Sequence, residues 1–119
     1  MRTQYEYGVD AERRLAKKFQ EQGAIVVRAA GSHGPIDLVV IDKDGTHLIQ
    51  VKATREGSPR DAVLRAYADA ALVVRDLPPN CYLEAYCWSG RDRLWHKAFE
   101  LGQAGVEEGL WFGNVNTVE

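Results

Sequence analysis

The chain lacks any long apolar run. Its first residues, Met1-Arg2-Thr3-Gln4-Tyr5-Glu6, also lack the apolar segment of a secretory signal peptide. A membrane-spanning helix needs about 20 consecutive apolar residues, so both a spanning protein and a secreted one are disfavoured. We therefore expect a cytoplasmic protein with no membrane partner.

Cysteine is scarce, and the spacing of Cys81 and Cys87 matches neither a zinc site nor a redox pair. We expect both to be buried thiols outside any disulfide. Repeats and low-complexity tracts are also lacking, and 45% of the 119 residues are hydrophobic. This length and composition predict a single domain over residues 1–119 with a core of its own.

Net charge is small, at −2, which is not the signature of a nucleic-acid-binding protein. The charges are unevenly distributed, however, since basic residues outnumber acidic ones only in residues 1–60. That half contains the candidate DNA contacts Arg13, Arg28, Arg55 and Arg60. Charge alone favours the alternative that these side chains form an ordinary solvated surface.

Apolar periodicity and turn residues divide the chain into two helices and five strands. The helices are predicted over residues 8–22 and 60–75, the first ending at Gly23 and the second before Pro78-Pro79. The strands are predicted over residues 24–29, 36–41, 46–54, 81–88 and 93–97, with an ambiguous short helix over 98–104. The order α-β-β-β-α-β-β predicts an α/β fold with a mixed β-sheet flanked by helices.

The most informative feature is Asp37, a charged residue within an apolar predicted strand. Thirteen residues later, the next predicted strand contains Gln50-Val51-Lys52. A four-residue loop at 42–45 would pair Ile41 with Thr46 and place Asp37 opposite Gln50. A two-residue turn at Asp44-Gly45 would instead place Asp37 opposite Lys52. In either register the three side chains share one face, because strands alternate with a period of two.

These residues suit a hard divalent cation such as Mg²⁺, which prefers oxygen ligands. Asp37 offers a carboxylate, Gln50 an amide oxygen and Val51 a backbone carbonyl. Glu12, at the rim of the first helix's apolar stripe, could add a second carboxylate. We therefore predict a metal site made by Glu12, Asp37, Gln50 and Val51. A plain surface role for Glu12 remains an alternative.

Lys52 and Ser32 complete the candidate catalytic group, and Arg28 is a candidate DNA contact beside it. Lys52 could hold an attacking water or neutralise charge that develops on a phosphate. Ser32, in the loop before Asp37, could donate a hydrogen bond to that phosphate, and Arg28 could contact the DNA backbone. Each also has a structural alternative: Lys52 as a lysine protecting a strand edge, Ser32 as a turn residue and Arg28 as a solvent-side residue.

Taken in order, five segments resemble the PD-(D/E)XK nucleases, and within them the archaeal-type Holliday junction resolvases. The resemblance covers roughly residues 7–70. Glu12 matches the family's catalytic glutamate, Ser32 its active-site serine and Asp37 its metal-binding aspartate. The segments are Gly8-Val9-Asp10-Ala11-Glu12-Arg13, Val26-Val27-Arg28-Ala29-Ala30-Gly31-Ser32, Ile36-Asp37-Leu38-Val39, Gln50-Val51-Lys52-Ala53-Thr54 and Arg60-Asp61.

The resemblance implies a restriction-endonuclease-like fold, a homodimer, and cleavage of four-way DNA junctions that depends on Mg²⁺, with Mn²⁺ as the alternative ion. One residue departs from the family, which usually has a glutamate where this chain has Gln50. Its neutral amide should weaken metal binding. Two alternatives therefore remain: another DNA nuclease on the same fold, or a DNA-binding protein with a degenerate catalytic site.

Overall fold

The structure is a computed structural model and describes residues 2–29, 34–100 and 106–107. It confirms the predicted order α-β-β-β-α-β-β and adds a short final strand. The elements are α1 (Gln4–Glu21), β1 (Ile25–Arg28), β2 (Leu38–Asp42), β3 (Gly45–Thr54), α2 (Pro59–Val73), β4 (Cys81–Ser89), β5 (Leu94–Glu100) and β6 (Val106–Glu107).

All the strands belong to one mixed six-stranded sheet, in the order β1-β2-β3-β4-β5-β6. Neighbouring strands run antiparallel except β3 and β4, which are parallel and are joined through α2. A parallel pair requires a long crossover connection, and an α-helix usually supplies it. The predicted α/β class with a mixed sheet is confirmed.

Helix α1 begins four residues earlier than predicted, because a capping box lies upstream of the apolar stripe. The Thr3 side chain accepts a hydrogen bond from the Glu6 amide, and the Glu6 carboxylate accepts one from the Thr3 amide. The predicted stop is confirmed, since Gly23 has a φ of +93°, in the left-handed region that favours glycine.

The chain after β4 differs in part from the sequence prediction. Residues 98–100 belong to β5, so a helix over 98–104 is wrong for those three residues, and residues 101–104 lie outside the described part. Antiparallel pairing with β4 continues through Ala98 and Phe99, which outweighs the weak local helical pattern. Helix α2 ends at Val73, some residues before Pro78-Pro79.

The β2–β3 hairpin has the first of the two predicted registers. Ile41 pairs with Thr46, and one further pair, Asp42 with Gly45, leaves Lys43 and Asp44 as the turn. The Asp42 carboxylate accepts hydrogen bonds from the amides of Asp44, at 2.9 Å, and Gly45, at 3.2 Å. The alternative register is wrong. This turn determines which residues of β2 and β3 face each other further along, where the candidate site lies.

The core has two halves, one on each face of the sheet. Helix α1 covers the face that contains Leu38, Ile49 and Trp95, whereas α2 covers the face that contains Leu83 and Ala98. The apolar stripe of α1 is buried, and its buried residues are Ala11, Leu15, Ala16 and Phe19. The two helices therefore approach the sheet from opposite sides, and side chains at its rim can meet residues from both.

The tryptophans and cysteines of the described residues lie in or near the core. Trp88 and Trp95 are buried, while Trp111 and Phe112 lie outside the described residues. Cys81 and Cys87 form no disulfide. Cys87 is buried, and burial raises the pKa of its thiol to about 12. Cys81 is only partly buried. No helix among the described residues is long and apolar enough to cross a membrane.

Candidate active site

Asp37 lies immediately before β2 and is fixed by two backbone contacts with β3. Its amide donates to the carbonyl of Ile49 at 2.8 Å, and its carboxylate oxygen Oδ2 accepts a hydrogen bond from the Val51 amide at 2.8 Å. Leu38 also pairs with Ile49, so two consecutive residues face one, which is the pattern of a β-bulge. Asp37 therefore does not pair directly with Gln50, contrary to the prediction.

The Asp37 carboxylate sits in a partly desolvated position. Burial raises its pKa, while the hydrogen bond from the Val51 amide and the positive charge of Lys52 act in the opposite direction. The charge of Lys52 thus reaches Asp37, as the strand periodicity predicted. A neighbouring cation would stabilise the ionised form of this carboxylate further.

Helix α1 places Glu12 close enough to Asp37 for the two charges to interact. Burial raises the pKa of Glu12, and the negative charge of Asp37 raises it further, whereas Arg28 and Arg13 lower it. Two partly buried carboxylates that repel each other are costly unless a cation lies between them. The structure thus brings together the two acidic residues singled out from the sequence.

Gln50 has an amide oxygen that is buried and accepts no hydrogen bond within the described part of the chain. The whole residue is 8% exposed. Leaving a buried acceptor unsatisfied costs about 1–3 kcal/mol, so such an atom calls for an explanation. A cation ligated by this oxygen would supply one.

A cavity of about 270 Å³ opens beside Gln50 and Lys52 on the α2 side of the sheet. Ala66 and Asp69 of α2 line its other wall, together with Gly34 and Pro35. The sequence analysis did not single out Asp69. Its spacing of three residues from the buried Ala66 was the available signal, since residues at that spacing share one face of a helix.

Among the four predicted metal ligands, Asp37 is within electrostatic reach of Glu12 and bonded to the Val51 amide, and two of the four are neutral groups. Within residues 2–29, 34–100 and 106–107, no group of three or more His, Cys, Asp and Glu side chains could hold a metal. The predicted set combines two carboxylates, from Glu12 and Asp37, with the Gln50 amide and the Val51 carbonyl. Val51 is already engaged through its amide, which orients Asp37. Its role as a ligand stays a prediction.

The predicted DNA contacts fall into different environments. Arg28, at the end of β1, has a buried Nε with no acceptor among the described residues, and its charge acts on Glu12. Arg13 and Arg60 are exposed. Arg55 stacks over the Tyr7 ring at 4.8 Å and donates to the Arg2 carbonyl at 2.7 Å, so it also anchors the N-terminus. Ser32 lies outside the described residues.

Comparison with known proteins now bears on this arrangement. Residues 3–60, which include Glu12, Asp37 and the Gln50-Val51-Lys52 segment, match the sequence profile of the archaeal Holliday junction resolvase (Hjc) family. Over these residues the chain is similar to the archaeal-type Holliday junction resolvases. The recognition made from five short segments is thereby confirmed. Among curated proteins, no sequence matches the chain significantly.

The fold was also compared with solved structures. The structure is similar to that of Hjc, a Holliday junction resolvase from the archaeal hyperthermophile Archaeoglobus fulgidus, with a TM-score of 0.51. The two are 18% identical, and the alignment covers 87% of this chain and 84% of that one. Such a likeness shows a shared fold, which is consistent with the restriction-endonuclease-like architecture. The family assignment supports an endonuclease that resolves junctions and depends on a divalent metal.

Proposed function

We propose that this protein is a structure-selective DNA endonuclease that cleaves four-way junctions by Mg²⁺-dependent hydrolysis of phosphodiester bonds. The observation that carries the proposal is that Asp37, just before β2, lies within electrostatic reach of both Glu12 on α1 and Lys52 on β3. The charge of Asp37 acts on Glu12, and the charge of Lys52 acts on Asp37. Two acids and a lysine at this spacing are the functional groups of the family's motif.

The residues present fit a divalent cation. Glu12 and Asp37 would hold it through carboxylate oxygens, Gln50 through its unsatisfied amide oxygen and Val51 through its carbonyl. Mg²⁺ keeps several waters and tolerates few protein ligands, so two carboxylates and neutral oxygens are sufficient. When bound, the ion polarises the scissile phosphate and lowers the pKa of a coordinated water.

The remaining residues act on the phosphate and on the water. The ammonium group of Lys52 would donate to the attacking water or to the phosphate oxygens. Arg28, whose Nε lacks an acceptor among the described residues, and the exposed Arg13 would grip the DNA backbone. Ser32 would donate to the phosphate, as its position before Asp37 suggests.

Recognition would depend on the shape of the junction and on its phosphates rather than on base edges. A four-way junction has approximate two-fold symmetry and requires two cuts. A homodimer with two-fold symmetry offers two identical sites in a fixed relation and would match the geometry of the substrate.

The test is metal-dependent nicking of a synthetic four-way junction by wild type and by Asp37→Asn. The variant removes one charge and should slow cleavage by roughly 10²–10³-fold or more, a loss typical of an essential electrostatic group. Asp44→Asn, in the β2–β3 turn, removes the same charge elsewhere and should cut normally. Cleavage by Asp37→Asn at the wild-type rate would show that the site is assigned wrongly.

Gln50 favours a second candidate, a DNA-binding relative with little catalytic activity. An amide in place of a carboxylate lowers the negative charge available to hold a metal. This candidate predicts tight junction binding with no nicking in either Mg²⁺ or Mn²⁺. A third possibility is another nuclease on the same fold. Parallel assays on duplex, flap and four-way substrates separate it from a resolvase.

A further inference from the structure

A second cavity, distinct from the one beside Gln50, lies between α1 and the turn that joins β4 to β5. Its volume is about 480 Å³. Four guanidinium groups line it: those of Arg2, Arg13, Arg14 and Arg93. Only Arg13 was a candidate DNA contact from the sequence. The other three come from the N-terminus, the next position of α1 and a turn about 80 residues away.

The charge balance of this cavity is opposite to that of the chain. The protein as a whole carries −2, whereas the cavity has four arginines and a single acid, Asp10. Asp10 forms an ion pair with Arg2. Within the described part of the chain, Arg13, Arg14 and Arg93 form no ion pair with a carboxylate. Gathering like charges is unfavourable unless an anion completes the cluster.

Arg14 is held in place by the wall of the cavity. Its guanidinium lies 4.3 Å from the centroid of the Trp88 ring, and Trp88 itself is buried. Partial burial lowers the pKa of Arg14, and the charges of Arg93 and Arg2 lower it further. The indole face is already occupied, which disfavours stacking of a nucleobase there. A preorganised guanidinium instead suits a phosphate oxygen.

The turn that supplies Arg93 also has unusual local geometry. Arg93 has a φ of +56°, in the left-handed region that arginine rarely adopts. Gly90, in the same turn, leaves room for the Tyr7 hydroxyl, because a side chain at Gly90 would collide with it. Such backbone cost is typically found at binding and catalytic sites.

We propose that this cavity binds backbone phosphates of a DNA arm that continues beyond the cleavage site. The inference depends on the proposed function, since it extends the same DNA across the protein. Arg13 connects the candidate active site with the second cavity, because it directly follows the proposed metal ligand Glu12 on α1 and also lines that cavity. One strand of DNA could then contact the catalytic residues and the guanidinium cluster along the same helix.

Two charge reversals within one turn provide the test. Arg93→Glu changes a residue that lines the cavity. Arg91→Glu makes the same charge change two residues away, but Arg91 does not line the cavity. Binding of a fluorescent four-way junction is measured in EDTA by anisotropy over a range of salt. Arg93→Glu should weaken binding about tenfold more than Arg91→Glu and reduce the salt slope by about 0.9 per lost contact.

Arg14→Gln provides a second variant, with its thermal midpoint measured to check folding, and should show the same loss of affinity and salt slope. Equal affinities for Arg93→Glu and Arg91→Glu, with Arg14→Gln at the wild-type value, would overturn the proposed phosphate site. The proposed function would survive that result as long as wild type nicks the junction. Failure of wild type to bind or nick any junction would overturn both.

Discussion

At the scale of single residues, Asp37 depends on a local irregularity of β2. Its amide donates to the Ile49 carbonyl although Leu38 is the residue that pairs with Ile49, and its carboxylate accepts a hydrogen bond from the Val51 amide. Within the described residues, this backbone hydrogen bond is what orients the carboxylate. A rigid acid loses little freedom when it binds a metal, which is the usual advantage of a preorganised site.

Gln50 offers a direct test of ligation at this scale. We predict that Gln50→Glu tightens Mg²⁺ or Mn²⁺ binding by about tenfold, since it replaces a neutral oxygen ligand with a charged one. Isothermal titration calorimetry measures the change. Gln20→Glu, on the exposed side of α1, adds the same charge away from the site and should bind metal as wild type does. An unchanged titration for Gln50→Glu would mean that Gln50 is not a ligand.

Sequence analysis found the residues of the motif because each stands out locally. Asp37 interrupts an apolar strand, and Gln50 and Lys52 share its face by simple alternation. It could not find Asp69 or the stacking of Arg14 on Trp88, which depend on how distant elements pack. Nor could it find the bulge at Asp37, because hydrogen bonds outside a regular ladder leave no periodic signal.

At the scale of elements, the parallel pair β3–β4 contains a buried polar network at the end away from the candidate site. His47 Nδ1 lies 2.6 Å from Glu84 Oε2, and His47 Nε2 lies 3.1 Å from Asp42 Oδ1. Lys97 lies 3.5 Å from Glu84 Oε1, and the Tyr86 hydroxyl donates to that same oxygen at 3.2 Å. The sequence indicated only that His47 was a strand residue.

This network predicts how stability varies with pH. The hydrogen bond with Glu84 raises the pKa of His47 above its ordinary 6.5. Burial alone would raise the pKa of Glu84, but His47 and Lys97 outweigh it and hold that pKa below 4.5. The stabilisation by charged His47 is complete below pH 6.5 and is lost as pH rises through its folded pKa. The stabilisation by ionised Glu84 is present above pH 4.5 and is lost as the pH falls through the folded pKa of Glu84.

The difference in unfolding free energy between wild type and His47→Gln should therefore be largest between about pH 4.5 and 6.5. Its size should be roughly 1.5–3 kcal/mol, typical of a hydrogen bond to a charged group. Urea unfolding at a series of pH values measures it. A difference that stays constant from pH 5 to pH 9 would exclude a charged His47 as the stabilising species.

Element types were predictable because the periodicities of α1, β3 and α2 are clear over many residues. The first and last residues of the elements were less predictable. The start of α1 is set by the reciprocal bonds of Thr3 and Glu6, which lie outside the apolar stripe. The end of β5 is set by pairing with β4, a contact that local propensity does not encode.

At the scale of the whole molecule, exposed aliphatic side chains of the described residues fall into two groups. One lies on β1 and β2, where Ile25 pairs with Ile41 and Val27 follows on the same face. The other is the end of α2, with Leu72 and Val73 each 67% exposed. Exposed apolar patches are characteristic of protein–protein contacts, and a second copy of the chain is the partner proposed above for a reaction with two cuts.

We predict a dimer of twice the 13.3 kDa chain mass in sedimentation velocity. A lysine at the interface would be desolvated without a partner, so Val27→Lys or Leu72→Lys should shift the population to monomer. Tyr5→Lys changes an exposed residue on neither surface and should leave the dimer intact. A wild-type monomer at every concentration tested, or dimers of wild-type strength for both variants, would contradict this prediction.

The sequence predicted the arrangement of the whole sheet only in outline. A strand–helix–strand order predicts that α2 crosses between parallel strands, but not that α1 and α2 cover opposite faces. That arrangement decides which residues meet at the rim of the sheet. It brings Glu12 from one side to Asp37 and leaves Gln50 and Lys52 facing the cavity on the other.

The central claim is that one divalent ion lies among Glu12, Asp37, Gln50 and Val51. Titration of isotope-labelled protein with Mn²⁺, followed by loss of backbone amide signals, locates a bound ion most directly. The amides of Glu12, Asp37 and Val51 should disappear first, while those of Thr46 and Leu83 persist, and Asp37→Asn should abolish the effect. Loss of signal centred elsewhere, or unchanged in Asp37→Asn, would contradict the account.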